Sequence, residues 1–114
     1  MKVVCIDDSR LSISALQNMV AKLGHEVVGT AFDGDKGVAV AKEMSPDLVL
    51  LDFVMPNKDG LETAKMLRAA VPKAKIAMVT QNELDTSTKN AINATAYVLK
   101  PITQEKLKNL FDKL

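Results

Sequence analysis

Leu48-Val49-Leu50-Leu51-Asp52-Phe53-Val54-Met55-Pro56 reads as a strand running into a loop. The four apolar residues at its start are too few for an independent helix. Ser45-Pro46 precedes them and Pro56 follows, so the run predicts a strand buried on both faces of a sheet. The strand closes on a carboxylate. In open α/β sheets ligands bind at the carboxyl edge, where parallel strands deliver their last side chains, and this makes Asp52 the first candidate for chemistry.

The flanking segments repeat the theme. Before it, Lys2-Val3-Val4-Cys5-Ile6 is a short β-branched run closing on Asp7-Asp8. Ser9 can cap a helix that places Leu16, Met19, Val20 and Leu23 on one face, with Gly24 as its stop. His25 to Ala31 is a second strand, less purely apolar and therefore expected at a sheet edge. Asp33-Gly34-Asp35 supplies turn and cap residues for a weaker helix carrying Val38, Ala41 and Met44, which Ser45-Pro46 ends.

After Asp52, the turn formers Met55-Pro56-Asn57-Lys58-Asp59-Gly60 lead into a third helix with Leu61, Ala64, Leu67 and Val71 facing inward, closed by Pro72. Ile76-Ala77-Met78-Val79 is a fourth strand stopping on Thr80. The segment from Asn82 to Thr95 has helical spacing in Leu84, Thr88, Ala91 and Ile92. It is rich in threonine, serine and asparagine and should be the least stable helix. Ala96-Tyr97-Val98-Leu99 is a fifth strand ending on Lys100-Pro101, and Thr103 caps a last helix with Leu107, Leu110, Phe111 and Leu114 on its apolar face.

Strands alternating with helices predict right-handed crossovers and an all-parallel, doubly wound sheet, a flavodoxin-like (βα)5 domain. Its 114 residues form a single domain, 1–114, large enough to bury a core without disulfides or a structural metal. Fifteen Lys and Arg interleave with fourteen Asp and Glu to a net charge of +1, so no basic stripe develops of the kind that binds nucleic acid. The single cysteine, Cys5, lies in an apolar run and reads as a buried hydrophobe in a reducing compartment. No signal peptide or membrane-spanning segment is evident, and a soluble, cytoplasmic protein without membrane partners is expected. The lone His25 reads as a surface residue.

Four of the five strands end in Asp7-Asp8, Asp52, Thr80 and Lys100, all at one sheet edge. Three carboxylates and one ammonium sum to about −2, an arrangement that calls for protons or a cation. All-oxygen ligation by a few carboxylates suits Mg2+, which is usually held together with a phosphate. Alone, Asp7-Asp8 could equally be a helix cap; the other strand ends favour a site. An ionised Asp52 can attack phosphorus without a general base, while Lys100 and Thr80 could each take a phosphoryl oxygen.

Asp7-Asp8, Asp52-x-x-Met55-Pro56-x-x-Asp59-Gly60, Thr80 and Tyr97-x-x-Lys100-Pro101, in this order over the whole chain, resemble the receiver domain of bacterial two-component response regulators, the CheY-like family. The strand order 2-1-3-4-5 comes with this resemblance and is not read from the residues. The resemblance implies that Asp52 is the phosphorylation site, accepting its group from a histidine kinase or a small phosphodonor. It further implies that Asp8 and Asp52 ligate Mg2+ directly, Asp7 mostly through water, and Val54 by its backbone carbonyl. Lys100 would pair with the phosphoryl group, and Thr80 would swing toward it. Tyr97 would follow by changing rotamer, altering the face of the fourth helix, fifth strand and fifth helix where a downstream protein docks.

Some positions depart from the family pattern. Gln81 stands where a small residue is usual, which predicts slower access of phosphodonors or a phosphatase. Lys58 replaces an apolar residue of the active-site loop. Asn93 replaces a glycine, and it tolerates positive φ. Val54 and Asn82 occupy the two positions that tune phosphoryl lifetime.

The principal expectation is a phosphorylation-controlled interaction module, a stand-alone receiver such as those of chemotaxis, since no linker or effector follows the last helix. A receiver fragment cut from a longer DNA-binding regulator would have the same sequence. One alternative is a phosphorelay intermediate that hands the group to a histidine phosphotransfer protein. Another is a haloacid-dehalogenase-like hydrolase, but that chemistry needs an acid two residues after the nucleophile, where this chain has Val54. A signalling domain rather than an enzyme is therefore expected.

Overall fold

The structure, a computed structural model, describes residues 1–53 and 59–114. Among the described residues five strands and five helices alternate: β1 (Lys2–Ile6), α1 (Arg10–Lys22), β2 (Glu26–Ala31), α2 (Gly34–Met44), β3 (Leu48–Asp52), α3 (Gly60–Ala70), β4 (Lys75–Thr80), α4 (Thr86–Ile92), β5 (Ala96–Leu99) and α5 (Gln104–Lys113). All strand pairs are parallel, in the order β2-β1-β3-β4-β5. The more polar β2 lies at an edge, and every residue of the central β3 is buried. Both follow from a sheet covered on two faces, which leaves polar strand residues room only at its margins.

The period-two alternation of strand side chains divides the core in two. Val4, Ile6, Val49, Leu51, Ile76 and Met78 pack with residues of α2, α3 and α4. Val3, Cys5, Leu48, Leu50 and Ala77 pack with Ile13, Leu16 and Val20 of α1 and with Leu107 and Leu110 of α5. Helix α2 sits very close to the sheet, for a Cβ on Gly37 would lie 2.7 Å from Ile6 Cγ1 and one on Gly29 would lie 2.5 Å from Val40 Cγ1.

Each helix has a side-chain cap, with Ser9, Asp33, Asp59, Asp85 and Thr103 accepting the first free amides. The fourth helix is shorter than the spacing of Leu84 and Ala91 suggested. Asp85 Oδ1 accepts the Thr88 amide at 2.7 Å and starts it late, leaving Leu84 outside; Thr88 also holds the Asp85 carboxyl below its ordinary pKa. Asn93, at φ 52°, ends it in the left-handed conformation, the role its substitution for glycine implied. Met44, expected to face inward, is 36 % exposed at the last turn of α2.

His25 lies at the surface as expected, partly covered by its neighbours. Its ring stacks on Phe111 with centroids 4.0 Å apart, and Nδ1 lies 2.9 Å from the N-terminal amino group. Desolvation, and then that ammonium, lower its pKa.

Cys5 is fully buried, and burial, with the negative charge of Asp7 behind it, pushes its thiol from 9.0 to about 12. Because the folded pKa is the higher one, the contribution is fully present below about pH 9 and is lost as pH rises toward about 12, at about 1.4 kcal/mol per pH unit in that window. Urea midpoints measured from pH 8 to 11 should therefore fall more steeply for the wild type than for Cys5→Ala. Parallel slopes would show that the thiol ionises as easily folded as unfolded.

Candidate functional site

The sheet register brings the strand ends level. Ile6 pairs with Leu51 and Asp52 with Val79, which sets Asp7 beside Asp52. Thr80 pairs with Leu99, and the Lys100 amide donates to the Thr80 carbonyl at 2.7 Å, so Lys100 leaves the sheet at the same edge. Residues far apart in sequence meet because parallel strands all end on one side.

Asp7 and Asp52 are buried, at 2 % and 6 % exposure, whereas Asp8 is exposed. One carboxylate oxygen from each of the three can be drawn from a set lying within 4.8 Å of one another. Lys100 Nζ is 3.5 Å from Asp7 Oδ2 and 3.5 Å from Asp52 Oδ1. Asp7 Oδ1 also accepts the Ser9 amide at 2.9 Å, which fixes that carboxylate at the mouth of α1. The Lys100–Pro101 peptide bond is cis.

Two buried carboxylates and a third beside them carry more negative charge than one ammonium offsets, and like charges this close raise one another's energy. The donor atoms are all hard oxygens, without His or Cys, and their spacing lets a single small cation be shared. The set fits magnesium in both charge and chemistry.

Thr80 is buried, and its hydroxyl donates to the Asn82 carbonyl at 2.8 Å. Tyr97 is half-buried; its hydroxyl donates to the Lys89 carbonyl at 2.8 Å and accepts the Ala94 amide at 3.2 Å, tying β5 to the middle of α4 and to the turn that follows it. Lys89 Nζ stands 5.2 Å over the Tyr97 ring and 3.0 Å from Glu83. Gln81 is exposed and lines a cavity together with Asp7, Lys100 and the α1 residues Leu11 and Met19. Asn82 is exposed and offers its backbone carbonyl to Thr80. The expected roles of Val54 and Lys58 fall outside the described residues.

The strand ends carry Asp7, Asp8, Asp52, Thr80 and Lys100 to this edge, and Lys106, which lies outside that pattern, joins them from α5. Its Nζ donates to the carbonyls of Leu99 and Pro101 at 2.9 and 3.0 Å. The available signal was a cation in the first turn of α5, where the helix dipole disfavours one. Among the described residues no helix is long and apolar enough to cross a membrane.

A family model described as "Response regulator receiver domain" matches residues 3–112. The chain is 29 % identical to the chemotaxis protein CheY of Thermotoga maritima, over 99 % of this chain and 96 % of that protein. It is 35 % identical to the "Probable C4-dicarboxylate response regulator DctR" of Halalkalibacterium halodurans, over 94 % of this chain but 48 % of that protein. Among solved structures, CheY4 of Vibrio cholerae superposes with a TM-score of 0.89 at 30 % identity, covering 99 % of this chain and 98 % of that one.

Proposed function

We propose, since the chain belongs to the response regulator receiver domain family, that Asp52 is its phosphoryl acceptor and that phosphorylation alters the face formed by α4, β5 and α5. The observation that carries this reading is Lys100, whose ammonium stands 3.5 Å from both Asp7 and Asp52 across a separation of 93 residues from the former. An Asp52 oxygen attacks the donor phosphorus, the bond from phosphorus to its leaving group breaks, and the leaving group departs with the electron pair. Lys100 stays to hold a phosphoryl oxygen.

Asp7, Asp8 and Asp52 are the side chains that would hold the metal. Bound there, magnesium would supply neutralising charge for the phosphoryl oxygens. Thr80 exchanges its bond to the Asn82 carbonyl for one to the phosphoryl group. Tyr97 then gives up the Lys89 carbonyl and turns inward, releasing α4. Supporting this sequence of motions, α4 is the shortest helix among the described residues, with seven residues, of which Ile92 is the buried one. Elements that move are drawn from the less stable part of a fold.

A histidine kinase is the proposed donor, and a protein that docks on the α4–β5–α5 face is the proposed receiver of the signal. The near-complete overlap with CheY supports a chemotaxis-type module. The proposed role is signalling, without turnover of a substrate.

Beryllofluoride, a stand-in for the phosphoryl group, tests the switch when added with magnesium and followed by amide chemical shifts. Shifts are expected at Thr80, Tyr97 and through α4. In Thr80→Ala the shifts near Asp52 should persist while those of Tyr97 and α4 disappear. Unchanged α4 shifts in the wild type would refute the switch while leaving acceptance at Asp52 untouched.

Gln81 lies beside the entrance, so Gln81→Ala should speed phosphorylation by small donors and dephosphorylation alike, by a few-fold, with stability within about 0.5 kcal/mol of the wild type as for an exposed residue. Equal rates in the two proteins would show that this side chain does not screen the site.

A further inference from the structure

We infer that Lys106 is a positioning residue for Lys100, and that through Lys100 it sets the rate at which Asp52 takes up a phosphoryl group; this rests on the function proposed above. Lys106 is the third residue of α5, and its amide is bonded to the Thr103 cap hydroxyl at 3.1 Å. That is the positive end of the helix dipole, where a cation is disfavoured unless something else holds it. Helical side chains lean toward the helix N-terminus, so this one reaches back beyond the start of α5.

There its Nζ donates to the Leu99 carbonyl at 2.9 Å and to the Pro101 carbonyl at 3.0 Å. Those carbonyls belong to the residues on either side of Lys100. The Lys100 amide is in turn fixed to the Thr80 carbonyl at 2.7 Å. Leu99, the last residue of β5, and Pro101 are both exposed, so side-chain packing does little to hold this strand end, and the Lys106 bonds join the backbone bond to Thr80 in restraining it. The Lys100 side chain starts from this clamped segment and must end 3.5 Å from both Asp7 and Asp52.

Electrostatic stabilisation of a transferring group depends on placement, and a misplacement of about 1 Å can cost about 100-fold in rate. Lys106→Met would keep the apolar stem and remove the two donated hydrogen bonds. The expected loss in phosphorylation rate by acetyl phosphate with saturating magnesium is about tenfold. Lys106→Arg, which retains donors, should recover most of it.

The diagnostic comparison is a double-mutant cycle with Lys100→Met. If Lys106 acts by placing the Lys100 ammonium, Lys106→Met slows the wild type but has no further effect once Lys100 is methionine. An equal loss in both backgrounds would assign Lys106 a general structural role, and no loss in either would remove it from the site; both overturn the inference. The same cycle is read independently as urea midpoints in EDTA, where Lys100→Met should shift the midpoint less when Lys106 is also methionine. Equal midpoint shifts overturn the inference. Should the wild type take up no phosphoryl group, the functional reading fails, and the equilibrium cycle alone decides whether Lys106 places Lys100.

Discussion

Replacing Lys100 with methionine is expected to slow phosphoryl uptake at Asp52 by about 100- to 1,000-fold, the range seen when one preorganised charge-stabilising donor is removed. The same change should destabilise the metal-free protein. Asp7 and Asp52 are buried and each lies 3.5 Å from the Lys100 ammonium, so its loss leaves negative charge that burial makes costly. Breaking a fully buried pair costs about 3–5 kcal/mol, but the Lys100 side chain is 22 % exposed and water screens part of the interaction, so about 1–3 kcal/mol is expected. Urea unfolding in EDTA measures it. Adding magnesium should return much of the loss, because a second source of positive charge then serves the same carboxylates. If Lys100→Met unfolds at the wild-type midpoint in EDTA, the ammonium is not balancing the cluster.

Asp8→Asn should behave in the opposite way. Asp8 is exposed, so its replacement leaves metal-free stability within about 0.5 kcal/mol or raises it slightly by removing a like charge from beside Asp7 and Asp52. Its effect appears with magnesium. A ligand that binds only the folded state stabilises it by RT ln(1 + [L]/Kd), about 1.4 kcal/mol at ten times Kd, and the variant should lose most of that gain. Phosphorylation at a fixed magnesium concentration should fall by about 100-fold, the upper end of the loss expected when metal affinity is weakened. Thermal melts with and without magnesium, run on both proteins, give the stabilities directly. A variant stabilised by magnesium as strongly as the wild type would exclude Asp8 as a ligand.

Much of this could be read from the chain because the chemistry sits where patterns are strong. Buried parallel strands are nearly all apolar, so a polar residue at the end of such a run stands out; Asp7, Asp52, Thr80 and Lys100 were each visible for that reason. Asn93 could be assigned a left-handed helix stop because few other residues tolerate that backbone.

Less was legible where the outcome depended on side-chain direction. Leu84 has helical spacing with Thr88 and Ala91, yet the Asp85 cap starts α4 after it, and spacing alone does not reveal which of several polar residues becomes the cap. The Thr80 hydroxyl turning to the Asn82 carbonyl, and the Tyr97 hydroxyl bridging Lys89 and Ala94, are choices among rotamers that only packing decides. Lys106 looked like one more surface lysine, and its meaning lies in two backbone carbonyls that a sequence does not display.

The most direct test of Asp52 as the acceptor is intact mass after incubation with acetyl phosphate and magnesium, beside samples containing EDTA and samples of Asp52→Asn. The expected result is a gain of one phosphoryl group in the wild type with magnesium, and none in the other two. An equal gain in Asp52→Asn would place the chemistry on another residue. No gain in a folded wild type, with acetyl phosphate and with a histidine kinase alike, would contradict phosphoryl acceptance by this domain.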